Sequence, residues 1–180
     1  MALKATIFKI QLNVADMNRQ HYGDYSLTIA RHPSETDERM LVRVLAFAAH
    51  ADDALQFTKG LSADDEPDLW QKNLVNDIDC WIDVGLPDEK RVRKACNRAR
   101  QVIIYSYGRT ASHWWQQNQE KLARFDNLTI VNLPKAETDA LATLAERTLQ
   151  LQCTLQDDQI WLSDGARTIE LHPEYWQRFA

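Results

Sequence analysis

The sequence predicts an α/β fold in which a mixed sheet carries flanking helices. Three observations carry that expectation. Residues 6–14 and 25–29 alternate apolar and polar side chains at the strand period, whereas Leu41, Val44, Leu45 and Ala48 recur at the helical one. Val102 to Tyr107 is a dense apolar run of strand length, as expected of an interior strand covered on both faces. The connections are short and free of repeats or low-complexity linkers, so residues 1–180 are expected to form a single domain with its core at about 34–107. A chain of 180 residues, 44% hydrophobic and 26% charged, buries enough surface to need no disulfide or structural metal.

The elements follow in order. Phe8, Ile10, Leu12 and Val14 alternate with Lys9, Gln11 and Asn13, then Tyr25, Leu27 and Ile29 with Ser26 and Thr28, which predicts an antiparallel hairpin across the polar DMNRQ. His32 and Pro33 end it. Ser34 is the expected N-cap of a first helix reaching about residue 50, with Asp37 three residues on. Three strands are expected at Leu55 to Thr58, Pro67 to Lys72 and Ile78 to Val84, with turns in KGLSADDE and NLVND. Pro87, Asp88 and Glu89 suit the start of a second helix whose stripe Val92, Ala95, Cys96 and Ala99 is buried and whose Lys90, Lys94 and Arg98 face solvent. After the Val102 run, a helix is expected over Thr110 to Arg124, a strand over Leu128 to Asn132 and a helix over Ala136 to Thr148. Short strands at Leu149 to Leu155, Ile160 to Leu162 and Thr168 to Leu171 complete a carboxy-terminal β meander.

Charge is more informative in its distribution than in its sum of −5. Residues 51–89 hold eleven Asp and Glu against Lys59 and Lys72, and residues 90–124 hold nine Lys and Arg against Glu120. An acidic cluster beside a basic one is what a metal site acting on a polyanion needs; it is equally what a solvated helix face presents. Cys80, Cys96 and Cys153 show no paired spacing and are expected to be buried, reduced thiols of a cytoplasmic protein. No apolar stretch approaches membrane-spanning length, and no membrane partner is expected. The five histidines lack zinc-site spacing, and G-x-S-x-G, P-loop and G-x-G-x-x-G patterns are missing.

The constellation that could carry chemistry is Glu35 or Glu38 on the first helix, Pro67-Asp68 on the second core strand and Asp83 near the end of the third. If those strands are neighbours, Asp68 and Asp83 meet at one sheet edge, and a helix packed across that edge could aim one of its glutamates there. Hard cations such as Mg²⁺ or Mn²⁺ take oxygen ligands of this kind. Trp114 and Trp115, beside Arg109, His113 and Lys121, could stack on unpaired bases; adjacent tryptophans also commonly place one ring in the core and one at the surface.

The segments RHPSETDERMLVRVLAFA, LSADDEPDLWQKN, DCWIDVGLPDEKRVRKA and WWQQNQ resemble those of the YaeQ family of bacterial proteins, in order and over nearly the whole chain. That family resembles in turn the PD-(D/E)XK nuclease-like superfamily, with its restriction-endonuclease-like core of helix, three strands, helix and strand. The resemblance implies Glu38 as the helical glutamate, with Glu35 as substitute, Asp68 as the PD aspartate, with Glu66 as alternative, and Asp83 as the third motif's acid. Gly85 stands where the pattern places its lysine, and Lys90 or Lys94 from the next helix would have to supply that charge. The function so implied is a metal-dependent, nuclease-like protein acting on nucleic-acid phosphodiesters, catalytically degenerate if no lysine has migrated. Lys90, Lys94, Arg91, Arg98, Arg109 and Trp114 would hold the nucleic acid. The alternative is a non-catalytic module that binds nucleic acid or a protein partner, or an adaptor that presents the acidic loop at 62–68.

Overall fold

The structure is a computed structural model and describes residues 4–59 and 65–179. Strands β1 (Thr6–Asp16) and β2 (His21–Arg31) form the expected antiparallel hairpin, with Thr6 opposite Arg31 and Asp16 opposite His21. Helix α1 spans Asp37–Ala49. Then come β3 (Leu55–Phe57), β4 (Leu69–Lys72), β5 (Ile78–Val84), α2 (Glu89–Arg98), β6 (Ala99–Tyr107), α3 (Ala111–Leu122), β7 (Leu128–Leu133) and α4 (Lys135–Ala142). Strands β8 (Thr148–Gln156), β9 (Gln159–Ser163), β10 (Thr168–Leu171) and β11 (Glu174–Gln177) close the chain.

The fold is mixed α/β, with two mixed sheets where one was expected. The order β10-β9-β8-β1-β2 makes a five-stranded sheet, and β11-β7-β6-β5-β4-β3 a six-stranded one. The hairpin and the meander are therefore parts of the same sheet, joined by parallel pairing of β1 with β8, Lys9 opposite Thr148 and Asp16 opposite Leu155. Two compact units follow the same division, residues 1–51 with 136–173 and residues 52–135 with 174–180.

In the first unit, β1 buries Phe8, Ile10, Leu12 and Val14, and β8 buries Leu149, Leu151, Cys153 and Leu155 on the same alternation. Every residue of α1 from Met40 to Ala48 is buried, the mark of a helix enclosed on all sides. Its cap is Thr36, whose hydroxyl accepts from the Arg39 N–H at 3.1 Å. The expected cap, Ser34, lies outside the helix because its hydroxyl pairs with His32 Nδ1 at 2.6 Å. Helix α4 stops at Ala142, short of the expected Thr148, because Thr148 begins the β8 ladder.

In the second unit, β5, β6 and β7 run parallel, with Trp81 opposite Val102 and Val102 opposite Leu128. Helices α2 and α3 cover one face of these strands. Val92, Ala95 and Cys96 of α2 and Trp114 and Leu122 of α3 enclose Trp81, Val102, Ile104, Leu128 and Ile130. Asp88 caps α2 by accepting from the Arg91 N–H at 2.8 Å. Strand β11 was not foreseen; it pairs antiparallel with β7, and its Trp176 stacks on Trp115 at 5.7 Å. Residues 60–64, within the turn expected in KGLSADDE and the acidic loop expected at 62–68, lie outside the described residues.

Candidate functional site

Pro67 has no backbone N–H to pair, which suits it to the edge where β4 begins. The next residue, Asp68, donates its N–H to the Ile82 carbonyl at 3.1 Å. Leu69 lies opposite Ile82 in the ladder, and Asp68, just before it, turns its Oδ2 to the N–H of Val84, the neighbour of Asp83. The two carboxylates anticipated at one sheet edge thus meet there. Both are buried, at 4% and 3% exposure.

Each is tied down by this chain's own donors. The Val84 N–H donates to Asp68 Oδ2 at 2.8 Å. Arg91, in the first turns of α2, closes a two-pronged pair on Asp83, Nε to Oδ2 at 2.9 Å and Nη2 to Oδ1 at 3.0 Å. Nη2 also donates to the Glu66 carbonyl at 2.9 Å. One heptad along the same helix, Arg98 donates to the Asp65 carbonyl at 2.7 Å and lies 5.2 Å from the centre of the Trp81 ring. Arg91 lies 6.0 Å from that ring. Two arginines of α2 therefore fasten the 65–66 segment and the end of β5 to one helix face.

Burial pushes the Asp83 carboxyl above its usual range, because desolvation penalises the charged form. The Arg91 guanidinium opposes this by hydrogen bond and by charge, the Asp68 carboxylate adds to it, and the Trp81 indole N–H gives weak support to the anion. That indole N–H is buried and makes no full hydrogen bond.

Divalent-cation chemistry needs carboxylate oxygens free to face a common point. Here both oxygens of Asp83 accept from a guanidinium and Asp68 Oδ2 accepts from the backbone, while Glu66 offers Arg91 its carbonyl. Among the described residues no three His, Cys, Asp or Glu side chains converge. As arranged, both Asp83 oxygens and Asp68 Oδ2 are engaged by this chain's own donors. Gly85, where the lysine of the nuclease pattern would stand, has φ +117° and donates its N–H to the Tyr105 carbonyl at 2.9 Å. An L side chain at that φ is strained, so the backbone itself disfavours a lysine there.

The other anticipated residues are distributed as follows. Glu38 belongs to the first unit, where its Oε2 accepts from Thr138 Oγ1 at 2.8 Å. Glu35 is buried there between Arg39, at 2.6 Å, and Arg43, at 2.5 Å. Lys90 and Lys94 are exposed on α2, without an ion pair among the described residues. Arg109 is exposed just beyond the end of β6. Trp114 offers no ring face to a base: it is 8% exposed, and its indole N–H donates to the Pro87 carbonyl at 2.8 Å. Its ring belongs to the helix–sheet core, the alternative that adjacent tryptophans also offered.

The family model described as YaeQ protein matches residues 1–173. The chain belongs to the YaeQ family. It is 50% identical over 179 residues to the YaeQ proteins of Escherichia coli (strain K12) and Salmonella typhi, covering 99% of this chain and 99% of each relative. Among solved structures it resembles the YaeQ protein from Xanthomonas axonopodis pv. citri, with a TM-score of 0.93 at 44% identity over 96% of this chain and 98% of that one. The YaeQ protein from Pseudomonas syringae superposes with a TM-score of 0.92 at 32% identity, over 97% of both chains. The two sheets and four helices therefore recur in YaeQ proteins that have diverged over most of their sequence. No helix among the described residues is long and apolar enough to cross a membrane.

Proposed function

We propose that this protein is a catalytically silent, nucleic-acid-binding relative of the PD-(D/E)XK nuclease-like superfamily. In this reading the nuclease carboxylates have become a clasp that holds a basic helix. The observation that carries it is the two-pronged Arg91–Asp83 pair, which occupies the carboxylate that would otherwise ligate a metal. Positive φ at Gly85 supports the same reading.

Beside Arg91 and Arg98, the side of α2 that faces away from the Val92, Ala95 and Cys96 stripe presents Lys90, Arg93 and Lys94 to solvent, followed by Arg100 in β6. Of these, Arg93 approaches the half-buried Glu89 at 3.3 Å and Arg100 approaches Asp79 at 4.0 Å, weak pairs that leave both arginines exposed. A rigid helix offering cations to solvent is suited to phosphate contacts without sequence readout.

The test is fluorescence anisotropy with labelled single-stranded and duplex oligonucleotides at several salt concentrations. The wild type should bind with a salt-dependent affinity, and Lys90→Glu with Lys94→Glu should reduce the logarithmic salt slope by about 1 for each phosphate that the helix no longer neutralises. Asp83→Asn should leave the slope intact, and no added Mg²⁺ or Mn²⁺ should produce cleavage. Metal-dependent cleavage abolished by Asp83→Asn would restore the nuclease reading. Binding indifferent to the lysine charges would remove α2 as the interface.

A further inference from the structure

Away from the Arg91–Asp83 pair, the outward face of the five-stranded sheet carries a shallow cleft of about 280 Å³. It lies wholly in the first unit. Its floor is a row of side chains that the register sets side by side on four neighbouring strands. Asp24 of β2 lies opposite Asn13 of β1, Asn13 opposite Gln152 of β8, and Gln152 opposite Ser163 of β9. Asp164 follows Ser163 at the far end, and Gln11 and Gln150 lie side by side in the adjacent row.

The chemistry of this row is graded. A carboxylate stands at each end, neutral amides fill the middle, and among the described residues no lysine or arginine lines the cleft. Asn13 Nδ2 donates to Asp24 Oδ1 at 2.8 Å, which leaves the Asn13 amide oxygen as an acceptor within the row. Asp164 Oδ1 is used by the backbone N–H groups of Ala166 and Arg167, at 2.9 and 2.8 Å. These bonds hold the Asp164 carboxyl below the usual range. Arg167 approaches Asp164 Oδ2 only to 3.8 Å, with its guanidinium directed to Thr143.

Four strands at about 4.8 Å spacing put the two ends of the row about 14 Å apart along the backbone. Two anions at that separation across a polar, uncharged floor complement an extended molecule with a cation at each end. Phosphates and other anions meet a carboxylate at either end and find no lining cation among the described residues to offset it. A single ammonium would satisfy one end alone. A cleft of this volume lies at the lower bound of small-ligand sites and suits a slender ligand lying along the row.

We propose that this cleft binds a linear polyamine, with terminal ammonium groups at Asp24 and Asp164 and an inner amine over the Asn13 and Gln152 amide oxygens. The proposal is independent of the nucleic-acid reading, since it uses residues of the first unit alone and the opposite charge.

The experiment is a titration of the ¹⁵N-labelled protein with spermidine, followed by NMR at about 0.15 M salt, where the long-range pull of net negative charge is screened. Saturable shifts should appear at the side-chain amides of Asn13 and Gln152 and at the backbone of 163–166. Asp24→Asn and Asp164→Asn each keep an acceptor oxygen for their local bonds and should each weaken binding about tenfold. Among α,ω-diamines affinity should pass through an optimum length, and butylamine should bind at least tenfold more weakly than the best of them. Shifts that do not saturate, that are the same in both variants, or that rise with charge but ignore length would overturn the proposal.

Discussion

Thr138 Oγ1 donates to Glu38 Oε2 at 2.8 Å, joining the first turn of α1 to α4 across a hundred residues of sequence. Thr138 is fully buried, and Glu38 is partly so. The glutamate that the nuclease pattern would employ in catalysis thus holds two helices of one unit together. Thr138→Val keeps the volume and removes the donor, and should lower stability by about 1–2 kcal/mol. Urea unfolding checks this, and oligonucleotide affinity measured beside it should be unchanged.

His50 caps the end of α1, where burial holds its imidazole down to about 4, reinforced by Arg19 and opposed by Asp16. The unfolded chain takes up this proton near pH 6.5, well before the folded one does. Acidification from 6.5 toward 4 therefore favours unfolding, and the residue has no such effect above 6.5. The expected loss across the window is about 2–3 kcal/mol. Unfolding free energies at pH 7.5 and pH 4.5, compared between wild type and His50→Gln, should show a flatter dependence in the variant.

Gly85 tests whether the missing lysine can simply be put back. A Cβ added there meets no atom within 4 Å, so the penalty for Gly85→Lys comes from the backbone at φ +117° alone. It should be about 1–3 kcal/mol. Gly85→Ala should cost nearly the same, because the strain does not depend on side-chain length. Thermal unfolding of both variants measures this, and neither should gain metal-dependent cleavage.

Cys80, Cys96 and Cys153 are buried thiols pushed up to about 12, chiefly by desolvation. The thiolate is the reactive form, so almost none is present at pH 8. The native protein should react with a disulfide reagent such as dithionitrobenzoate far more slowly than free cysteine does, and should release three equivalents once denatured.

Local periodicity was enough to place the strands around the site. Ile78 to Val84 was legible as a strand from its composition, and so was its neighbour, which begins at Leu69 and not at Pro67; the approach of Asp68 to Asp83 was expected only if those two strands pair, and they do. The partner of Asp83 was harder to foresee. Arg91 sits at the border of the stripe formed by Val92, Ala95 and Cys96, where an arginine stem can lie along the core while its head reaches back to a strand end. The exposed spacing of Lys90 and Lys94 drew attention to the opposite face. The split into two sheets was not legible at all, because parallel pairing of β1 with β8 leaves no mark on the alternation of either strand. Strand β11 hid behind Pro173 and the charges of its short segment, although Tyr175 and Trp176 are favoured strand residues.

The parallel ladder between β1 and β8 also bears on how the chain is made. As synthesis proceeds, β1 pairs with β2 within moments of emerging, but its other edge waits for residues 148–155. At ordinary elongation rates that interval lasts roughly ten seconds. Throughout it a strand of eleven residues presents open backbone groups and one apolar face to its surroundings. The nascent chain is therefore most exposed to misassociation in its first segment. Truncations that stop before β8 should be far less soluble than their composition suggests.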